Sequence, residues 1–89
     1  MRVSSTLDLN LLPIFLAVMD CGNVAEAAGY MGISQSKVRN AMTSLRLHYS
    51  DRLLVFRGGK MDATPLATTL DREVRKALIH LAPHLTGKH

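Results

Sequence analysis

A single cysteine, Cys21, is all the thiol chemistry in this sequence, so no disulfide can form within the chain and nothing points to an oxidising compartment. Long apolar runs are missing as well. None approaches the roughly 18 residues of a membrane-spanning helix, and the most apolar stretch, "LDLNLLPIFLAVMD", is interrupted by polar residues and Pro13. The first residues lack the basic-then-apolar order of a secretory signal, and the expectation is a reduced, cytoplasmic protein with no membrane partner. Length is also scarce: 89 residues hold one modest core and not a second. That size argues against an autonomous enzyme with a deep pocket, and no Ser, His and Asp arrangement suggests catalysis. The chain shows no internal repeat and no low-complexity segment, and "MRVSST" reads as a loose N-terminal lead.

Acidic residues are scarce in one region. The chain carries 11 Lys and Arg against 7 Asp and Glu, for a net charge of +4. Between Ser34 and Lys60 lie Lys37, Arg39, Arg46, Arg52, Arg57 and Lys60 against Asp51 alone, whereas the segment before is net negative and the segment after nearly neutral. Such a balance suits a polyanionic partner, and it locates the contact in the middle of the chain.

Periodicity supplies four helices and a hairpin. Leu11, Leu12, Phe15, Val18 and Met19 recur at helical spacing, which predicts a helix from about Asn10 to Cys21, with Pro13 in its first turn and Gly22 ending it. Asn23 can cap a short second helix, Val24 to Met31, with Glu26 in the capping-box position. Gly32 breaks that helix, and Ser34 can cap a third running to about Tyr49, whose buried side is Val38, Ala41, Met42, Leu45 and Tyr49.

The spacing across Gly32 is that of a helix-turn-helix. Ala28 permits a close crossing, Gly32 four residues later can take a left-handed conformation, Ile33 tucks the turn into the core, and Val38 fills the angle. The outward side of the third helix then reads Gln35, Ser36, Lys37, Arg39, Asn40, Thr43 and Arg46, donors suited to phosphates and base edges. After it, "DRLLVFRGGKMDATP" changes period: Leu53 to Phe56 form an apolar strand, Gly58 and Gly59 a tight turn, and Lys60 with Met61 a returning strand. This hairpin is a wing, with Arg57 and Lys60 on either side of its tip, in reach of a phosphate or the minor groove. Thr64 caps a last helix, Pro65 takes its first position, and it runs to about Ala82 before Pro83. Its stripe of Leu66, Leu70, Val74, Ala77, Leu78 and Leu81 follows seam spacing and outruns so small a core, so a partner helix is its expected cover.

The fold class expected is therefore mainly α: a winged helix-turn-helix over residues 1–64, with a three-helix core plus a short β-hairpin wing, followed over 65–89 by a long linker/dimerisation helix and tail. Other chemistries fare worse. His80 and His84 are four apart, but Pro83 lies between them and no Cys or carboxylate completes a set, so neither metal nor cofactor is expected. "FRGGK" lacks the strand-to-helix context and the following Ser or Thr of a phosphate loop. Cys21 and the five Met residues suit core positions.

Four motifs in order, "LDLNLLPIF", "AEAAGYMGISQS", "LRLHYSDRLLVFR" and "ATPLA", carry a resemblance. From Leu7 to about Leu81 the chain resembles the DNA-binding portion of LysR-type transcriptional regulators. The resemblance implies double-stranded DNA as partner, Ser34, Gln35 and Ser36 at the groove, Arg39 and Asn40 on base edges or phosphates, Arg57 on the wing, and the helix from Pro65 joining a homodimer. It departs where Ser36, Lys37, Val38 and Arg39 stand in place of the family's usual proline, apolar pair and serine, and where Ala25 replaces a frequent phosphate-binding threonine. The effector-binding domain of the family's longer members is absent from this chain. The competing expectation is a winged-helix protein-interaction module, or a fragment that poisons regulators by forming mixed dimers.

Overall fold

Asp8 shapes the approach to the first helix: its Oδ1 accepts the Asn10 N–H at 2.9 Å and its carbonyl accepts the Leu11 N–H at 3.0 Å. The computed structural model describes residues 8–85, with side chains through residue 80; "MRVSST", Leu7 and the side chains of Leu81 and His84 lie outside the described residues. Helix α1 spans Leu11–Cys21, so Pro13 is its third residue, where the missing N–H has no intrahelical acceptor to lose. The expected face was one-sided, but Ile14, Phe15, Leu16, Ala17 and Val18 are all buried. The reason is tertiary: α1 is packed by helices on more than one side.

Gly22 closes α1 at φ +82, and α2 follows over Val24–Met31, capped by Asn23 Oδ1, which accepts the Glu26 N–H at 2.8 Å. Ala27 and Ala28 are buried, so α2 approaches its neighbours closely. Gly32, at φ +70, turns the chain; its N–H reaches the Gly29 carbonyl and the Ile33 N–H reaches the Ala28 carbonyl at 3.0 Å. Ile33 packs half-buried on the core, as its position predicts. Helix α3, Gln35–Tyr49, begins where Ser34 Oγ accepts the Lys37 N–H at 3.0 Å. Val38, Ala41, Met42 and Leu45 are its buried face, and Tyr49 is half-buried. Full burial of Phe15, Val18, Val38 and Leu45 stabilises this core by about 1.5–3 kcal/mol per side chain.

The wing comprises β1, Leu54–Arg57, and β2, Lys60–Ala63, antiparallel, with Arg57 opposite Lys60 across Gly58 and Gly59. Both glycines have positive φ, the requirement of a type I′ turn. Leu53 is not the first strand residue that its apolar run predicts. It sits at φ +62 in a three-residue turn closed by the Leu54 N–H on the Arg52 carbonyl at 2.6 Å, and its side chain is fully buried. Core burial pulls Leu53 inward and sets the strand one residue later.

Thr64 Oγ1 accepts the Ala67 N–H at 3.1 Å and starts α4, Pro65–Leu85. The helix passes the expected end near Ala82. Pro83 falls in its last turn, where a missing N–H costs one hydrogen bond and little further helix depends on it. Ala67 is buried and Leu66, Leu70 and Val74 are half-buried on the core. Arg75 ties α4 to α1 through Asp20 at 2.6 Å while also bonding Asp71 at 2.8 Å; those bonds, Asp71's first, raise its pKa above the ordinary value. No helix among the described residues is long and apolar enough to cross a membrane.

Candidate nucleic-acid interface

Because Val38, Ala41, Met42 and Leu45 hold one side of α3 in the core, its opposite side is fixed in space. Ser36, Asn40, Thr43 and Leu47, at steps of four, three and four, form the outermost ridge, and all four are exposed. On one flank Lys37, Asn40 and Ser44 border a groove shared with the start of α1. On the other, Arg39, Thr43 and Arg46 border a recess shared with Val24, Leu54 and Phe56. The wing's first strand thus lies beside the second half of α3.

Two hydroxyls hold the arginines along the exposed surface. Arg39 Nη2 donates to Ser36 Oγ at 3.4 Å, and Arg46 Nη2 donates to Thr43 Oγ1 at 3.3 Å. These are long bonds and leave most guanidinium donors open. Among the described residues, Lys37, Arg39, Arg46, Arg52 and Lys60 pair with no carboxylate. Arg57 lies 3.9 Å from Asp62, but both are exposed, so the pair is worth about 0–1 kcal/mol and a phosphate can displace it. Among the described residues, positive charge therefore outweighs negative on this surface.

The residues expected from sequence divide by element. Gln35, Ser36, Lys37, Arg39, Asn40 and Thr43 are exposed on α3, Arg46 is half-buried, and Arg57 and Lys60 flank the wing tip. Ser34 spends an acceptor lone pair on the cap and keeps its O–H free to donate. On α4 the expected seam is split. Leu66, Leu70 and Val74 already cover the chain's own core, whereas Ala77 and Leu78 continue the same stripe beyond it, exposed.

Sequence spacing missed three exposed residues of this surface. Arg52 and Phe56 line a shallow recess with Arg46, and Leu47 extends the α3 ridge. Arg52 was visible in the charge tally; the position of Phe56 depends on where the wing packs. Among the described residues no three His, Cys, Asp or Glu side chains gather as a metal site.

Residues 9–68 match the model of the bacterial regulatory helix-turn-helix protein, lysR family. The HTH-type transcriptional regulator LeuO of Escherichia coli is 40% identical over 80 residues, 90% of this chain and 26% of LeuO. The chain spans about a quarter of the length of the curated relatives it matches. A probable transcriptional regulator of Pseudomonas aeruginosa superposes with a TM-score of 0.81 at 38% identity, over 90% of this chain and 27% of that one. The CbnR DNA-binding domain, solved in complex with DNA, shares the fold with a TM-score of 0.76 at 24% identity, over 90% of this chain and 91% of that one. A winged helix-turn-helix with a basic α3 surface thus agrees with a family match over most of the chain, which belongs to the lysR family of bacterial regulatory helix-turn-helix proteins.

Proposed function

We propose that this chain binds double-stranded DNA sequence-specifically as a homodimer and regulates transcription, with α3 in the major groove of each half-site and the wing over the flanking minor groove. The observation that carries this reading is the α3 surface itself: cations without carboxylate partners among the described residues, mounted on a helix whose other side is locked in the core. Its family membership and the DNA-bound neighbour of the same fold support it. Lys37, Arg46, Arg52 and Lys60 serve phosphates, which supply most of the affinity. Arg39 and Asn40, with Gln35, Ser36 and Thr43, serve base edges, and Arg57 enters the minor groove. Residues 1–64 form the DNA-binding unit and 65–89 the part that joins two chains, through the stripe that Ala77 and Leu78 continue past the core.

Selection from a random duplex library tests the assignment. Arg39→Ala should weaken binding to the selected sequence more than to random duplex, by about 1–3 kcal/mol for a bidentate base contact. Equal losses on both would make Arg39 a phosphate anchor. Absence of duplex binding at low salt would reject the reading in favour of a protein-docking winged helix.

A further inference from the structure

Asp51 is the only acid in the basic middle of the sequence, and its carboxylate is turned inward rather than left as a solvated charge. Its backbone N–H donates to the Arg46 carbonyl at 3.2 Å, which anchors it to the last turn of α3. Its Oδ1 accepts the Leu53 N–H at 2.6 Å and the Thr64 hydroxyl at 2.7 Å. Thr64 completes a ring by donating its own N–H to the Leu53 carbonyl at 2.8 Å, while its Oγ1 accepts the Ala67 N–H that opens α4. The ring lies between two fully buried residues, Leu53 and Ala67. One carboxylate oxygen therefore joins the end of α3, the root of the wing and the cap of α4.

We infer that Asp51 is a positioning residue that fixes the direction of α4 relative to α3, and thereby the half-site spacing a dimer accepts. The inference rests on the dimeric DNA-binding reading above. Leu53 holds φ +62, a conformation leucine seldom adopts, and keeps it because its side chain is buried and its N–H has Asp51 as acceptor. Without the carboxylate, the Leu53 N–H and the Thr64 hydroxyl lose their common partner, and the first turn of α4 keeps only the Thr64 N–H on the Leu53 carbonyl and its apolar packing to hold it to the end of α3. Helix α3 keeps its Ser34 cap and its buried face, so a single half-site contact survives. The relation between two recognition helices does not, because a two-fold axis through α4 applies any angular error to both subunits.

The test uses duplexes carrying one copy of the half-site recovered by selection, and duplexes carrying two inverted copies whose separation is stepped one base pair at a time. Wild-type protein should favour one separation by roughly tenfold or more over neighbours two base pairs away. Asp51→Ala and Thr64→Val should bind the single copy within about twofold of wild type, yet flatten that preference to less than about threefold. Asp51→Asn and Thr64→Ser, which keep an acceptor oxygen and a hydroxyl, should retain it. A sharp wild-type optimum left unchanged in Asp51→Ala and Thr64→Val overturns the inference. So does an equal loss on single and paired copies, the sign of a merely structural role. A wild-type protein that binds duplex with no preferred spacing removes the dimer premise and the inference with it, and that result is seen before any variant is made.

Discussion

Raising the salt concentration should weaken DNA binding steeply, and replacing Lys37 by Ala should make the dependence shallower. Four cations on the α3 and wing surface, Lys37, Arg46, Arg52 and Lys60, have no carboxylate partner among the described residues and are assigned to phosphates. At about −0.9 per phosphate neutralised, four contacts give a slope of log K against log salt of about −3.6 for one chain and about −7 for a dimer. A fourfold rise in salt then costs roughly a hundredfold in affinity for one chain and about ten-thousand-fold for the dimer. Lys37 borders the groove beside α1 and its ammonium pairs with no side chain among the described residues, so Lys37→Ala should shallow the slope by about 0.9 per chain with little change in sequence preference. Fluorescence anisotropy on a labelled duplex over a salt series reads both quantities. A wild-type slope shallower than about −1, or a slope that Lys37→Ala leaves unchanged, would refute the assignment of this face to phosphates.

Gly32 at φ +70 has open space where a Cβ would stand, so Gly32→Ala should cost only the left-handed backbone term, about 1–2 kcal/mol in denaturant unfolding; no change would contradict the turn geometry. Leu78→Asp with Ala77→Asp places charge on the α4 stripe beyond the core, and should yield a folded monomer by sedimentation equilibrium and circular dichroism. Persistence of a dimer would remove α4 as the seam; Leu70 and Val74 are unsuitable for this test because they also cover the core. Arg57→Ala should lower affinity most on duplexes with A·T-rich flanks, where the minor groove is narrow, and equal losses on G·C-rich flanks would exclude that contact.

The helix-turn-helix from Asn23 through α3 was legible residue by residue because its causes are local. Asn23 and Ser34 cap with their own side chains, Gly32 supplies positive φ, and Val38 faces inward by helical period alone. The same holds for the wing tip, where two consecutive glycines specify a type I′ turn, and for the donor-rich face of α3, which follows once its buried face is known. Sequence by itself thus determined the element order, the helix-turn-helix and the charge of its exposed surface. Tertiary structure decided what depends on partners distant along the chain. Burial on several sides of α1 hid its one-sided pattern, and core packing drew Leu53 into a turn where an apolar run reads as strand. The α4 stripe is one period in sequence, yet only packing shows that Leu66, Leu70 and Val74 serve the chain's own core while Ala77 and Leu78 extend past it. Asp51 is the clearest case: a carboxylate in a basic segment reads as a surface charge until folding brings Thr64, thirteen residues later, to its oxygen. Helical and turn signals act over a few residues, whereas a hydrogen bond closed by the path of the wing has no period to betray it.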